Sequence, residues 1–120
     1  MDKLLREEIH QMHAKVCSAL ADPNRILILY TLANEASNVT DLAKRVDLPQ
    51  PTVSRHLKVL RDRGMVQSQR RGQSVIYRLG DIRVIEALDI LRVVLATQLK
   101  NQGALARSAN QPIASFEKQE

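Results

Sequence analysis

The side chains best suited to chemistry are concentrated in one stretch, LPQPTVSRHLKVLRDRGMV, from Leu48 to Val66. Pro51 is suited to the first position of a helix, and Gly64 to the left-handed residue that ends one. Between Pro51 and Gly64, three apolar residues recur at i, i+4 and i+7: Val53, Leu57 and Leu60. This spacing predicts a short helix that is anchored along one narrow stripe.

The other faces of this helix carry groups that form hydrogen bonds with nucleic acids. They are Gln50 near the cap, Thr52, Arg55 and Lys58 opposite the apolar stripe, and Ser54 and His56 on the flanks. Cations, hydroxyls and imidazoles of this kind reach phosphate oxygens and base edges in DNA. An ordinary solvated face has a similar composition, so the helix alone does not decide between the two interpretations.

Composition indicates a single helical domain with a focused positive charge. The 120 residues include two Tyr, one Phe and no Trp, so the core must be aliphatic, and a protein that stacks bases of single strands on aromatic rings is disfavoured. The net charge is +5, but residues 44–78 hold nine cations and two anions, a net +7, which leaves −2 elsewhere. The basic charge therefore coincides with the polar helix and the segment after it.

Cysteine content and the N-terminus bear on location. Cys17 is the only cysteine, which excludes an intrachain disulfide framework and fits a reducing compartment. The first ten residues, MDKLLREEIH, lack the apolar run of a signal peptide, and no apolar run is long enough to span a bilayer. We expect a cytoplasmic protein with no membrane partner.

Periodicity and breaker residues predict the order α-α-α-α-β-β-α. The predicted elements are helices over 3–20, 23–33, about 40–46 and 51–63, strands over 65–70 and 74–79, and a helix of about five turns from Asp81. We predict one domain over 1–102 and a flexible tail over 103–120, where Gln, Gly, Ala, Ser and Pro predominate.

A short helix, a tight turn, a polar helix and a basic hairpin form the winged helix-turn-helix arrangement, a mainly α (α+β) fold. In helix-turn-helix proteins the second helix enters the major groove. The hairpin, or wing, would then lie over the adjacent backbone or minor groove, where Arg70, Arg71 and Gln73 are candidates for DNA contact. This context favours the DNA-binding interpretation of the polar helix.

Three segments resemble the ArsR–SmtB family of bacterial transcriptional repressors. They are ALADPNRILILYTL (Ala19–Leu32), VTDLAKRVDLPQPTVSRHLKVLRDRGMV (Val39–Val66) and RRGQSVIYRLGD (Arg70–Asp81). The resemblance implies a homodimer joined through the first and last helices. It also implies repression at an inverted-repeat DNA operator, with release by an effector. By position, it implies base contacts from Gln50, Ser54 and Arg55.

The metal sites known in that family are missing their ligands. The third-helix site needs cysteines in a Cys-Val-Cys-Asp-Leu box, and here the box reads Asn38-Val39-Thr40-Asp41-Leu42. At the last-helix zinc site Asp81 is present, but Arg83, Val94 and Thr97 replace the other ligands. A single cysteine also rules out the intrachain cysteine pair of the sulfur-sensing members.

Another set of side chains could serve as a sensor. His10, His13 and Cys17 lie at i, i+3 and i+7 of the first helix, and imidazole and thiolate are ligands for zinc or copper. Three ligands on one helix rarely close a tetrahedral shell, so interfacial or exposed histidines and a small buried cysteine are the simpler interpretation. Oxidation of Cys17 is a further alternative. No cofactor other than this metal ion is indicated.

The leading prediction is a sequence-specific DNA-binding repressor with an unidentified effector. An enzyme is disfavoured because the sequence shows no nucleophile–base pair, glycine-rich phosphate loop or ligand cluster of closed spacing. A winged-helix interaction module that no longer binds DNA is the third class, and the net charge of +7 over residues 44–78 argues against it.

Overall fold

The computed structural model describes the backbone of residues 1–109 and the side chains of residues 1–103. The chain divides into two compact units, Met1–Ile85 and a second that begins at Glu86. The elements in chain order are α1 (Lys3–Met12), a π-helical turn (His13–Cys17), α2 (Ser18–Leu20), α3 (Pro23–Asn34), α4 (Val39–Val46), α5 (Gln50–Asp62), β1 (Val66–Arg71), β2 (Ser74–Leu79) and α6 (Ile82–Ala109). This order agrees with the predicted one, apart from the π turn inside the first helix.

Acidic side chains cap α3 and α6, as Asp2 does at the start of α1. Asp22 Oδ1 accepts hydrogen bonds from the backbone N–H groups of Asn24 (2.8 Å) and Arg25 (3.4 Å) at the start of α3. Burial raises the pKa of Asp22, but these N–H groups, together with the nearby His56 and Arg25 side chains, outweigh that effect and hold the pKa below its ordinary value. At the start of α6 the side chain and backbone N–H of Arg83 hold the pKa of Asp81 at about 2.

The core of the first unit is aliphatic, as the composition predicts. Its largest fully buried side chains are Ile28, Leu29, Leu42, Val53, Leu57, Leu60 and Val66. All three residues of the predicted apolar stripe on α5 belong to this set, and each buried side chain of this size contributes about 1.5–3 kcal/mol. In α3, by contrast, Leu27 is 53% exposed, although it belongs to a run of aliphatic residues.

The hairpin is held to the body of the first unit by main-chain hydrogen bonds. Strands β1 and β2 pair antiparallel, with Arg71 opposite Ser74, and Gly72 makes the turn with a φ of 62°. The N–H of Ser37 donates to Tyr77 O at 2.9 Å, and the N–H of Tyr77 donates to Ser37 O at 2.8 Å. Because this bridge joins β2 to the loop before α4, it fixes where the wing begins.

The last helix extends beyond the predicted domain boundary. Its backbone is helical from Ile82 to Ala109, so it does not end near residue 102. Gly103 costs about 1 kcal/mol relative to Ala, but its neighbours Ala, Leu, Gln and Arg are strong helix formers. Residues 110–120 of the predicted tail lie outside the described residues. Over the part of the chain described, no helix is long and apolar enough to cross a membrane.

Candidate nucleic-acid interface

The turn between α4 and α5 is closed by a left-handed residue. Asp47 has a φ of 57°, and the N–H of the next residue, Leu48, donates to Ala43 O at 3.1 Å. Pro49 then precedes the first residue of α5, Gln50. Aspartate tolerates the left-handed conformation better than most residues because of its short polar side chain. The two helices of the helix-turn-helix are therefore joined by a tight and specific turn.

Helix α5 turns its polar side chains away from the core. With its apolar stripe fully buried, the exposed polar side chains on the other faces include Gln50, Ser54, Arg55 and Lys58, while Thr52 and His56 are half-buried. Arg55 Nη2 lies 3.4 Å from Thr52 Oγ1. Lys58 Nζ lies 3.1 Å from Asp62 Oδ2 one turn later, and an exposed ion pair of this kind is weak enough to be exchanged for a phosphate.

His56 is engaged with the body of the domain. Its Nδ1 lies 3.4 Å from Arg25 Nη1, and Arg25 Nε also donates to Ala19 O at 2.6 Å. Because guanidinium can only donate, Nδ1 acts as the acceptor and the imidazole proton is assigned to Nε2. His56 therefore helps to anchor α5, and a DNA contact through Nε2 stays a prediction.

The wing carries its predicted side chains in exposed positions. Arg70, Arg71 and Gln73 are all exposed, with the arginines at the end of β1 and Gln73 in the turn. Successive side chains of a strand point to opposite faces, so the two guanidinium groups start from opposite sides of the hairpin. Across the strands, Arg78 Nε donates to Gln67 Oε1 at 3.2 Å.

Some of the cations in residues 44–78 donate hydrogen bonds to main-chain carbonyls of the same chain. Arg45 donates to Glu35 O and Thr31 O, both at 3.1 Å, and so fastens α4 to the end of α3. Arg63 donates through Nη1 to main-chain carbonyls of the π turn. Sequence spacing gave no sign of either role, because the acceptors are main-chain atoms distant in sequence. The charge of +7 therefore overstates the number of side chains available to an anionic partner.

The residues that replace the family's third-helix box form a helix cap. Asn38 Oδ1 accepts the N–H of Asp41 at 2.8 Å, and Asn38 Nδ2 donates to Asp41 Oδ2 at 3.1 Å. Two shallow cavities, of about 530 and 510 Å³, are both lined by this pair. Where the family's box has a cysteine, Asn38 thus caps the start of α4.

The candidate sensor residues lie on the exposed N-terminal helical segment. His10 belongs to α1, whereas His13 and Cys17 are the two ends of the π turn. A π turn inserts one residue into the helical repeat, so the angular spacing expected of a regular α-helix no longer holds. Among the described residues of one chain, no group of three or more His, Cys, Asp or Glu side chains could hold a metal ion.

Comparison with known proteins decides the family. A family model described as "Bacterial regulatory protein, arsR family" matches residues 22–68. The HTH-type transcriptional regulator NmtR of Mycobacterium tuberculosis is 43% identical over 76 residues, and the match spans 63% of this chain and 63% of NmtR. The biofilm growth-associated repressor of Xylella fastidiosa is 30% identical over 87 residues, which cover 72% of this chain and 76% of that repressor. This chain belongs to the arsR family.

A solved structure supports the fold of this ArsR-family chain. The homodimeric winged helix-turn-helix DNA-binding domain Mb0332 of Mycobacterium bovis, a possible ArsR-family transcriptional regulator, superposes with a TM-score of 0.69 and 27% identity. The match covers 79% of this chain and 88% of that one. The predicted winged helix-turn-helix fold and the resemblance to the ArsR–SmtB family are confirmed. The family model is described as one of bacterial regulatory proteins, which agrees with the predicted regulator.

Proposed function

We propose that this chain is a transcriptional repressor that acts in the cytoplasm, binds double-stranded DNA at an inverted-repeat operator as a homodimer, and is released by an effector. The observation that carries the proposal is the geometry of α5. Its apolar stripe is buried at 0–1% exposure, while Gln50, Ser54, Arg55 and Lys58 are exposed on its other faces. A rigidly seated helix with these side chains outward fits the major groove.

The wing supports the same proposal. Arg70 and Arg71 are exposed at the end of a hairpin whose base is fixed by the bridge between Ser37 and Tyr77. A fixed wing can deliver cations to the DNA backbone or minor groove beside the helix that reads the bases. Gln73, in the turn, is within the same exposed loop.

The proposed partner for dimerisation is a second copy of this chain. Helix α1 leaves Leu5, Ile9 and Met12 at 40–49% exposure. Helix α6 separately exposes a larger series of aliphatic side chains, which are Ile90, Leu91, Val93, Val94, Leu95 and Leu99. Exposed apolar series of this size mark interaction surfaces. The related Mb0332 domain is a homodimer, and a two-fold dimer would present two α5 helices to an inverted repeat.

The experiment is a selection of binding sites from a random-sequence duplex library with the full chain, followed by measurement of Kd. We expect an inverted repeat, bound about 10³-fold or more tightly than a scrambled duplex, with affinity that falls steeply between 50 and 200 mM salt. Sedimentation equilibrium should give twice the chain mass of 13.5 kDa. Equal affinity for the selected and scrambled duplexes would contradict the proposal, as would a monomer at micromolar concentration.

A further inference from the structure

Arg63, the residue that follows α5, joins that helix to the irregular turn of the N-terminal helical segment. Its Nη1 donates to Ala14 O at 2.6 Å, to Lys15 O at 3.1 Å and to Ser18 Oγ at 2.8 Å. Ser18 Oγ in turn donates to Ala14 O at 2.6 Å. One guanidinium nitrogen therefore contacts three oxygens that lie 45–49 residues earlier in the chain.

These contacts fall on the one π-helical turn among the described residues. The N–H of Ser18 donates to His13 O, five residues back, in place of the α-helical partner four residues back. Such a turn inserts one residue into the helix. Compared with an uninterrupted α-helix, it therefore rotates the side chains before the turn by about 100° relative to those after it. The π turn thus sets the direction in which the apolar side chains of α1 face.

Because the N–H of Ser18 donates to His13 O, it does not reach Ala14 O, its partner in a regular α-helix; Arg63 Nη1 and Ser18 Oγ donate to Ala14 O. π-helical turns are rare, and they persist where surrounding interactions favour them. Arg63 is held at the end of α5 by its own main chain, since its N–H donates to Val59 O. Any change in the backbone of the π turn would therefore displace the end of α5 through Arg63, and a movement of α5 would likewise displace the π turn.

We propose that Arg63 and Ser18 are positioning residues for operator binding. They hold the π turn, and with it the orientation of the apolar face of α1, in a fixed relation to α5. This inference rests on the proposed function, in which α1 takes part in dimerisation and α5 reads DNA. In that dimer the contact determines how the two α5 helices are placed relative to each other, and so whether both half-sites are read together.

The competing role for Arg63 is a direct phosphate contact, because its side chain is exposed. The two roles differ in salt dependence. Loss of a phosphate contact weakens binding to all DNA sequences and lowers the slope of log Kd against log salt by about 1. Loss of a positioning contact weakens binding to the inverted repeat and leaves the slope and the affinity for scrambled DNA unchanged.

The test compares Arg63→Ala with Arg61→Ala, which removes the same charge from an exposed position two residues earlier. Ser18→Ala removes the hydroxyl partner without a change of charge, and Ser18→Thr restores a hydroxyl. For each full-length variant, Kd is measured for the selected inverted repeat, a single half-site and a scrambled duplex at several salt concentrations. The dimer dissociation constant is measured by sedimentation.

We expect Arg63→Ala to bind the inverted repeat at least tenfold more weakly, with half-site and scrambled affinities within twofold of the wild type. Ser18→Ala should also weaken binding to the inverted repeat, and Ser18→Thr should restore it. The double variant should bind the inverted repeat no more weakly than Arg63→Ala alone. A salt slope reduced by 1 in Arg63→Ala, or wild-type binding by Ser18→Ala, would overturn the inference. If Arg63→Ala does not fold, the inference is tested by whether Ser18→Ala binds the inverted repeat more weakly than Ser18→Thr. A wild type without sequence preference would instead contradict the proposed function.

Discussion

Gly80 lies directly against the main chain of Gly64, at the point where the wing returns to the end of α5. A β-carbon on Gly80 would be 2.6 Å from Gly64 O, and 3.0 Å from the carbonyl carbon of Met65. The N–H of Gly80 also donates to Met65 O at 2.8 Å. The end of β2 and the residues after α5 are therefore packed main chain to main chain, with no room for a side chain between them.

Replacement of Gly80 by Ala should destabilise the domain. The added methyl group would meet backbone atoms, which cannot move aside as the end of a flexible side chain can, so we expect a loss of about 1–3 kcal/mol. The control is Gly72→Asn in the wing turn, where Asn tolerates the φ of 62° better than most residues and no atom lies within 4 Å of the added carbon. Urea denaturation measures both, and equal midpoints for the two variants would contradict the packing explanation.

The cap of α3 should make stability depend on pH in the acid range. The pKa of Asp22 in the folded chain lies below the ordinary value of 3.8. Its ionised form therefore stabilises the fold fully above about pH 4, and this contribution is lost as the pH falls through the lower, folded pKa. Asp22→Ala should cost about 1 kcal/mol at pH 7, because the N–H groups of Asn24 and Arg25 lose their acceptor.

Asp22→Asn separates the cap from the charge. Asn is also a good N-cap, so this variant should keep most of the stability at pH 7 and lose less than the wild type between pH 5 and pH 3. Urea midpoints measured at several pH values distinguish the variants. The assignment of the acid dependence to Asp22 is wrong if wild type and Asp22→Asn lose stability in parallel.

The features that were predictable from the sequence are those with a local physical signal. The periodicity of α5 predicted its buried stripe, breaker residues predicted the start of α3 at position 23, and Gly64 predicted the end of α5. Each of these rests on side-chain polarity or on allowed backbone angles within a few residues. The order of these elements then predicted the winged helix-turn-helix fold, and the family match agrees with it.

The features that were not predictable depend on contacts between distant parts of the chain. The π turn has the same side-chain pattern as an α-helix, and it becomes visible only with the hydrogen bond from Ser18 to His13. The anchoring roles of Arg45 and Arg63 depend on main-chain carbonyls far away in sequence. The close approach at Gly80 likewise depends on the path of the wing.

Arg55 should contribute to sequence recognition more than to general affinity. It is exposed on α5, and a guanidinium can make two hydrogen bonds with guanine in the major groove. We expect Arg55→Ala to weaken binding to the selected inverted repeat by about 1–3 kcal/mol and to relax the base preference at one position of each half-site. Repeating the site selection with the variant measures this directly.

Arg55→Lys is the matched control for the charge of Arg55. It keeps the cation but loses the paired donors, so binding to scrambled DNA should stay at the wild-type level while the base preference is lost. If Arg55→Lys selects the same site as the wild type, Arg55 acts as a charge and does not read a base. If Arg55→Ala also selects that site with wild-type affinity, α5 does not lie in the major groove as proposed.

Arg71, at the end of β1 in the wing, should act through the phosphate backbone. Its exposed side chain lies beside the turn at Gly72, away from the buried face of the domain. We expect Arg71→Ala to weaken binding to the selected and scrambled duplexes by the same factor and to lower the salt slope by about 1, because one fewer counterion is released.

Lys100→Ala, which removes an exposed cation from α6, is the charge control and should leave the slope unchanged. A larger loss for the selected site than for scrambled DNA would show that Arg71 reads sequence or groove shape, and an unchanged slope would exclude a phosphate contact by this residue.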